Sequence, residues 1–159
     1  IYYSIKDIDA RFDVSKTIFN EISKELICVL SPSAEVLHVG ATAIPGCITK
    51  GDLDIVVRVL EADFPEVQNL FSDKFAVNLG SVRTNSFAAF ESYEYEIPVG
   101  IQLVIQDSDL DCFHLFADKL RSDDTLLESY NTLKRKHEGK PMDEYREAKS
   151  KFIEGVLNL

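Results

Sequence analysis

The sequence predicts an α+β fold: a mixed β-sheet flanked by helices, with a C-terminal helical segment. Three observations carry this. Nearly continuous, β-branched apolar runs sit mid-chain at Leu53–Leu60 and Ile97–Gln106, as strands covered on both faces do. Apolar residues at helical spacing precede them over residues 12–30 and follow them from about Leu110. Short Gly, Pro and Ser turns separate the segments, with no repeat, low-complexity stretch or linker. Strands in the middle with helices at both ends is the α+β order. The 159 residues read as one domain, with residues 12–109 as sheet core and N-terminal helix and 110–159 as C-terminal helices.

The elements follow in order. Phe12, Ile18, Phe19, Ile22, Leu26, Val29 and Leu30 give the first helix its apolar stripe. Asp13 or Ser15 is positioned to cap its start, and Ser31-Pro32-Ser33 ends it. Glu35–Gly40 reads as a short strand and Leu53–Leu60 as a central one. Asp63–Ser72 reads as a helix with Phe64, Val67, Leu70 and Phe71 inward. Phe75–Leu79, Ser86–Phe90 and Ile97–Gln106 read as further strands, with hairpin turns between residues 80 and 96. Three helices are expected near 110–121, 123–137 and 143–158. Gly139-Lys140-Pro141 separates the last two, and Asp143 is placed to cap the final one.

Composition narrows the function. The net charge is −10, and it is uneven: residues 1–118 carry 8 Lys and Arg against 19 Asp and Glu, residues 119–159 carry 9 against 8. An acidic body repels a phosphate backbone, so no extended nucleic acid is expected as partner. A small phosphorylated ligand needs only a few placed cations. No apolar run approaches the ~20 residues of a membrane span, and no basic-then-apolar leader is present; no membrane partner is expected. Cys28, Cys47 and Cys112 are odd in number and scattered, which points to reduced thiols and a cytoplasmic protein rather than disulfides or zinc. The chain begins at Ile1 without Met, so N-terminal residues are expected to be missing from it.

The sharpest motif is His38-Val-Gly-Ala-Thr-Ala-Ile-Pro-Gly46, followed by Lys50-Gly-Asp-Leu-Asp-Ile-Val-Val57. Strand side chains alternate faces, so Asp52 and Asp54 share one. Paired carboxylates beside a Gly/Thr turn form a layout for Mg²⁺ and a triphosphate. Read alone, the Gly40–Gly46 run is first of all a structural turn, in which Gly40 takes positive φ and Pro45 stiffens the loop; for Asp52 the competing reading is a solvated residue at a strand entrance. Asp54 lies in an otherwise apolar strand, where a carboxylate needs a partner. Tyr130 and Lys134 are four residues apart, as are Tyr145 and Lys149, so each pair shares a helix face. Such faces serve either to close over a phosphorylated ligand or to lay lysine stems across half-buried rings.

These residues resemble the GrpB family (UPF0157-type), assigned by fold to the nucleotidyltransferase-like superfamily. The resemblance rests on His38–Gly46, Lys50 and Asp54-Ile-Val-Val57, and on Leu120-Arg121, Tyr130, Leu133-Lys134, Tyr145, Lys149 and Phe152-Ile153. Ala41 stands where the family places Ser, so a phosphate-facing hydroxyl is absent. Asp52 stands where many members have an apolar residue. Gly100-Ile-Gln102 falls where the superfamily puts a third carboxylate.

What the resemblance implies is a Mg²⁺-dependent, nucleotidyltransferase-like protein using an NTP and a small acceptor. On that reading Asp52 and Asp54 are catalytic and hold the metal. Gly40, Ala41, Thr42, Lys50, Arg83, Arg121, Tyr130, Lys134, Tyr145 and Lys149 contact nucleotide or phosphate, the turn through backbone N–H groups at a helix start. The alternative is a binding module for a nucleotide or phosphometabolite without turnover. Fusion of some GrpB-like domains to dephospho-CoA kinase would tie that alternative to coenzyme A metabolism. A scaffold carrying a leftover site is the third option.

Overall fold

The computed structural model describes residues 2–3 and 8–159, except the side chains of 8–11. A long helix, α1 (Ile8–Val29), leads into β1 (Glu35–Val39), a single 3-10 turn (Ala41–Ala43) and β2 (Leu53–Val59). Then come α2 (Phe64–Lys74), β3 (Ala76–Val77), β4 (Phe87–Ser92) and β5 (Val99–Ile105). Three helices finish the chain: α3 (Phe113–Ser122), α4 (Asp124–His137) and α5 (Met142–Leu157).

The five strands form one mixed sheet in the order β1-β2-β5-β4-β3. Only β2 and β5 run parallel, joined by a crossover long enough to contain α2, β3 and β4. The other neighbours are antiparallel. The α+β class and the mixed sheet are therefore as the apolar runs foretell, and β2 is central and covered on both faces.

Alternation along β2 divides the core in two. Leu53, Ile55, Val57 and Val59 face α1 and α2, packing with Ile22, Leu26 and Phe71. Val56, with Val104 and Ala89 from the neighbouring strands, faces the C-terminal helices and packs with Phe116, Leu120 and Tyr130. Asp54 and Arg58 share that second face. At its far end Arg58 makes a bidentate bond to the buried Asp111, Nε to Oδ1 at 2.8 Å and Nη2 to Oδ2 at 2.7 Å, which ties the loop before α3 to β2. At its near end stands Asp54.

Local chemistry differs from the expectations at several ends. α1 begins at Ile8, so Asp13 and Ser15 do not cap it; the Ser15 hydroxyl donates back to the Phe12 carbonyl at 2.9 Å. α5 is entered through Pro141 without a side-chain cap, leaving Asp143 inside the first turn. There its charge complements the helix dipole instead. Asp123 does cap α4, its Oδ1 accepting from Leu126 N at 3.0 Å. The Phe75–Leu79 strand shrinks to two residues, because only Ala76 and Val77 find partners on β4.

Candidate functional site

The loop from Gly40 to Asp52 runs across the edge of the sheet where β2 begins, and it is held from three sides. The Thr42 hydroxyl donates to the Asp52 carbonyl at 3.0 Å and accepts a hydrogen bond from His38 Nε2–H at 3.0 Å. Burial, reinforced by the Arg121 charge, lowers the His38 pKa to about 4, so the ring is neutral and Nε2–H is its donor. Asn131 on α4 grips the far limb, accepting from Ile48 N at 2.8 Å and donating to the Gly46 carbonyl at 3.0 Å. Arg121 on α3 donates to the carbonyls of Ala43 and His38, both at 3.2 Å.

These bonds place several of the candidate residues elsewhere than the motif suggests. Thr42 is buried and its hydroxyl is used inside the protein, so it is turned away from any ligand. The helix start at Gly40 is one 3-10 turn whose first bonds, from Ala43 N and Ile44 N, close on Gly40 and Ala41. It is too short to offer the aligned N–H groups of an α-helix N-terminus. Arg121 braces the loop from outside and lines a separate surface groove with Phe19 and His38. Arg83 is exposed in the turn before β4 and, with the Gln68 amide oriented to accept, donates to α2. Neither arginine lines the cavities described next.

The remaining candidates converge. An open polar cavity of about 100 Å³ lies between the start of β2 and the facing sides of α4 and α5. Lys50, Asp52 and Asp54 form its sheet side; Tyr130, Lys134, Tyr145 and Lys149 form its helical side, with Ala41 at the rim. The two Tyr/Lys pairs thus meet across one space, as their shared helix faces allow. Missing from the sequence reading were Tyr3 and Thr49, for which it held no signal, and Met142 and Arg146 on α5, all of which line the same cavity. The signal for Met142 and Arg146 was present: with Tyr145 and Lys149 they fall on one face of α5 at i, i+3/i+4, i+7 spacing.

Charge is arranged unequally in this cavity. Lys50 Nζ sits 3.2 Å from Asp52 Oδ2. Asp54 has no such mate: among the described residues no cation lies within ion-pair distance and no hydrogen bond reaches its carboxylate. Burial pushes its pKa above the ordinary carboxylate value; the charge of Lys149 opposes that shift and that of Asp52 adds to it. The carboxylate is cradled by glycine on both sides. A β-carbon at Gly40 would lie 2.5 Å from Oδ2, and one at Gly100 would lie 3.0 Å from Oδ1. Lys134 is buried, with its ammonium 4.7 Å from the centre of the Tyr130 ring and 5.8 Å from that of Tyr145, a cation–π position. Burial lowers its pKa to about 8. The Tyr130 and Tyr145 phenols are shifted the other way by burial and stay neutral.

A third carboxylate does not join the pair. Gly100 lies beside Asp54 in the β2–β5 register, and Gln102 is two residues along on the same face. Glu91 pairs with Gly100 from β4. That puts it two strand spacings from Asp54, roughly 10 Å. Glu94 and Glu96 are exposed in the β4–β5 connection and line neither cavity at this end of the sheet. Among the described residues no group of three His, Cys, Asp or Glu side chains is placed to hold a metal ion. Mg²⁺ does not require one; it is commonly held by one or two carboxylates, with water and substrate phosphates filling the rest. Asp52 and Asp54 are the two carboxylates that line this cavity. No helix is long and apolar enough to cross a membrane among the described residues.

Fold and site together define a small mixed-sheet α+β domain whose C-terminal helices press a lysine-rich face onto paired aspartates. The chain belongs to the GrpB family: the family model described as GrpB protein matches residues 4–158. It is 37% identical over 132 residues to a UPF0157 protein of Vibrio cholerae, covering 82% of this chain and 70% of that one. A UPF0157 protein of Halalkalibacterium halodurans is 25% identical over 146 residues, covering 88% and 74%. The crystal structure of the conserved protein GrpB from Enterococcus faecalis superposes with a TM-score of 0.71 at 18% identity, over 91% of this chain and 93% of that one.

Proposed function

We propose that this chain binds a phosphorylated small molecule of the nucleotide class in the cavity between β2 and the α4–α5 face. The observation that carries the reading is the imbalance at Asp54. The half-buried Asp54 carboxylate, without a partner, shares this cavity with Lys134 and Lys149, neither of which has a carboxylate within ion-pair distance among the described residues. Unpaired groups of both signs that converge on one concave space are a ready-made site for a ligand that completes them. An anion with a divalent cation does so: phosphate oxygens to the lysines, the cation to Asp54 and Asp52. Mg²⁺, when bound there, would clamp phosphate oxygens and spread the charge that develops on them during transfer.

The protein's own groups supply the rest. Lys134, packed against two neutral phenol rings, presents its charge from a poorly hydrated site, where it acts more strongly than at a wet surface. Lys149 stands over Asp54, and Lys50 holds Asp52 in the meantime. Tyr130 and Tyr145 wall the cavity against water. Nucleotidyl transfer from an NTP to a small acceptor is the chemistry such a layout serves.

Binding without turnover is the second reading, and one observation favours it: β5 offers Gly100 and Gln102 beside Asp54, and an amide is no base. One experiment tests both. Melting temperature is measured with each NTP and with coenzyme A precursors, with and without MgCl₂, on wild type and Asp54→Asn. A ligand that binds only the folded state raises it. A metal-dependent rise with an NTP that Asp54→Asn abolishes supports the nucleotidyltransferase-like reading. A metal-independent rise that survives the substitution supports the binding module. No rise with any compound overturns both.

A further inference from the structure

Behind Asp54 lies a second cavity, of about 200 Å³, that the phosphate reading leaves unused. It opens between the sheet and α3–α5, and its wall is mainly apolar: Val39, Ile44, Phe113, Phe116 and Ile153. Ala41, Asp54, Tyr130 and Lys149 belong to the walls of both cavities, so the two adjoin along those four residues. Three aromatic rings, Phe113, Phe116 and Tyr130, line it beside the aliphatic side chains. Phe116 meets Tyr130 edge-on at 5.3 Å and Phe113 stacks on Phe87 at 5.9 Å.

Size and polarity restrict the occupant. An apolar cavity of ~150 Å³ holds benzene, so this one accommodates one or two fused rings. Its wall is not wholly apolar. Gln102 lines the cavity from β5; its Oε1 has no hydrogen-bond partner among the described residues and is closed to water, so a donor in the cavity meets it once the terminal amide turns. A buried amide oxygen without a donor is costly, and a purely hydrocarbon occupant would leave it so. A flat ring bearing N–H groups satisfies the aromatic wall and the amide together.

We infer that this cavity is the ring compartment of the ligand, so that the site takes a two-part molecule: an anionic group on the lysine side and a planar, N–H-bearing heterocycle between Phe116 and Gln102. This rests on the phosphate reading for the first part and adds the second. It also gives Gln102 a binding role: its amide reads the ring's donors.

The test compares ring-bearing and ringless forms of one anion. Affinities for ATP, GTP, CTP, UTP and inorganic tripolyphosphate are measured by calorimetry in MgCl₂, on wild type, Ile153→Trp and Gln102→Leu. The best NTP is expected to bind at least tenfold tighter than tripolyphosphate. Ile153→Trp, which fills the cavity from α5, is expected to erase that preference while tripolyphosphate binding persists; that persistence is also the check that the variant is folded. Gln102→Leu keeps the volume and removes the acceptor, so it is expected to erase most of the preference too. Equal affinity of wild type for the NTPs and tripolyphosphate overturns the ring compartment and leaves the phosphate reading standing. A preference that survives both substitutions also overturns it. If neither kind of ligand binds, the phosphate reading fails and the ring compartment falls with it. The chain contains no tryptophan, so 2-aminopurine riboside triphosphate gives an independent readout. Its fluorescence is expected to be quenched against Phe116 and Tyr130 in wild type and not in Ile153→Trp.

Discussion

Gly40 and Asp54 are fitted to each other: a single β-carbon at position 40 would stand 2.5 Å from Asp54 Oδ2, where no atom can be. The backbone at Gly40 (φ 74°, ψ −175°) is also one that L side chains rarely adopt. The glycine that begins the turn is thus required twice, once by its dihedral and once by the carboxylate it shelters.

Gly40→Ala should therefore lose stability from both sources, of order 1–3 kcal/mol from backbone strain alone. Urea denaturation measures it. In an Asp54→Ala background the 2.5 Å approach to the carboxylate is gone, while the 3.0 Å approach to the β-carbon of residue 54 and the strain remain, so the second loss should be smaller than the first. Equal losses in the two backgrounds would show that the carboxylate does not press on Gly40.

Asp54→Asn should stabilise the protein at neutral pH. Burial raises the folded carboxyl pKa, so Asp54 favours folding only while protonated. Its contribution is complete below the ordinary carboxylate value of 3.8 and is lost as pH rises through the folded value. An amide mimics the protonated form. The Tm gain of the variant should be largest at pH 7 and vanish towards pH 3.5; a gain independent of pH would refute the burial account.

His38 works in the opposite direction across an overlapping window. Its folded pKa lies near 4, below the ordinary 6.5, because burial disfavours the charged ring and Arg121 adds to that. The unfolded chain binds the proton first, so stability falls as pH drops from 6.5 towards 4, by up to about 1.4 kcal/mol per pH unit. His38→Gln keeps a donor for Thr42 and should flatten that slope in a pH series of urea melts.

Thr42→Val tests the assignment of Thr42 to the loop rather than to the ligand. Deleting its hydroxyl leaves the part-buried Asp52 carbonyl and His38 Nε2–H without their partner. A loss of about 1–3 kcal/mol follows, and Thr42→Ser should recover most of it. If the variant instead keeps full stability and loses only ligand binding, the hydroxyl belongs to the site.

Lys134 makes binding pH-dependent if it meets the phosphate. With its pKa near 8, only the protonated form attracts an anion, so tripolyphosphate affinity should fall roughly tenfold between pH 7 and pH 9. Lys134→Met should bind more weakly at pH 7 and show no such fall. A pH-independent affinity in wild type would remove Lys134 from the site.

Much of this protein is legible one segment at a time. The apolar spacing of α1 and of the three C-terminal helices, the β-branched run of β2 and the turn at Gly139-Lys140-Pro141 all follow from nearest-neighbour backbone preferences. Alternation puts Asp52 and Asp54 on one side of their strand, and four-residue spacing puts each Tyr/Lys pair on one side of its helix. Helix ends were read less well. Ser15 has every mark of a cap, yet the α1 backbone continues five residues upstream of Asp13, and no local rule forbids that.

What those segments do to one another was decided by packing alone. Arg121 and Thr42 look like phosphate ligands because their chemistry suits phosphate. In the folded chain the Ala43 and His38 carbonyls take Arg121, and the Asp52 carbonyl takes Thr42, because the docking of α3 and the fold of the loop bring those backbone acceptors within reach. Lys134 and Lys149 lie some 80 or more residues beyond Asp54 in the chain, and only the docking of α4 and α5 on the second face of the sheet brings them over its carboxylate. Gln102 is one polar residue in an apolar strand until the register with β2 sets it on the face of Asp54 and the wall of a cavity. By itself the sequence determined which elements form and which faces they present, because those are local properties of the backbone. The meeting of those faces depends on long-range packing, and so the tertiary structure decided where the charges meet and which of them remain unpaired.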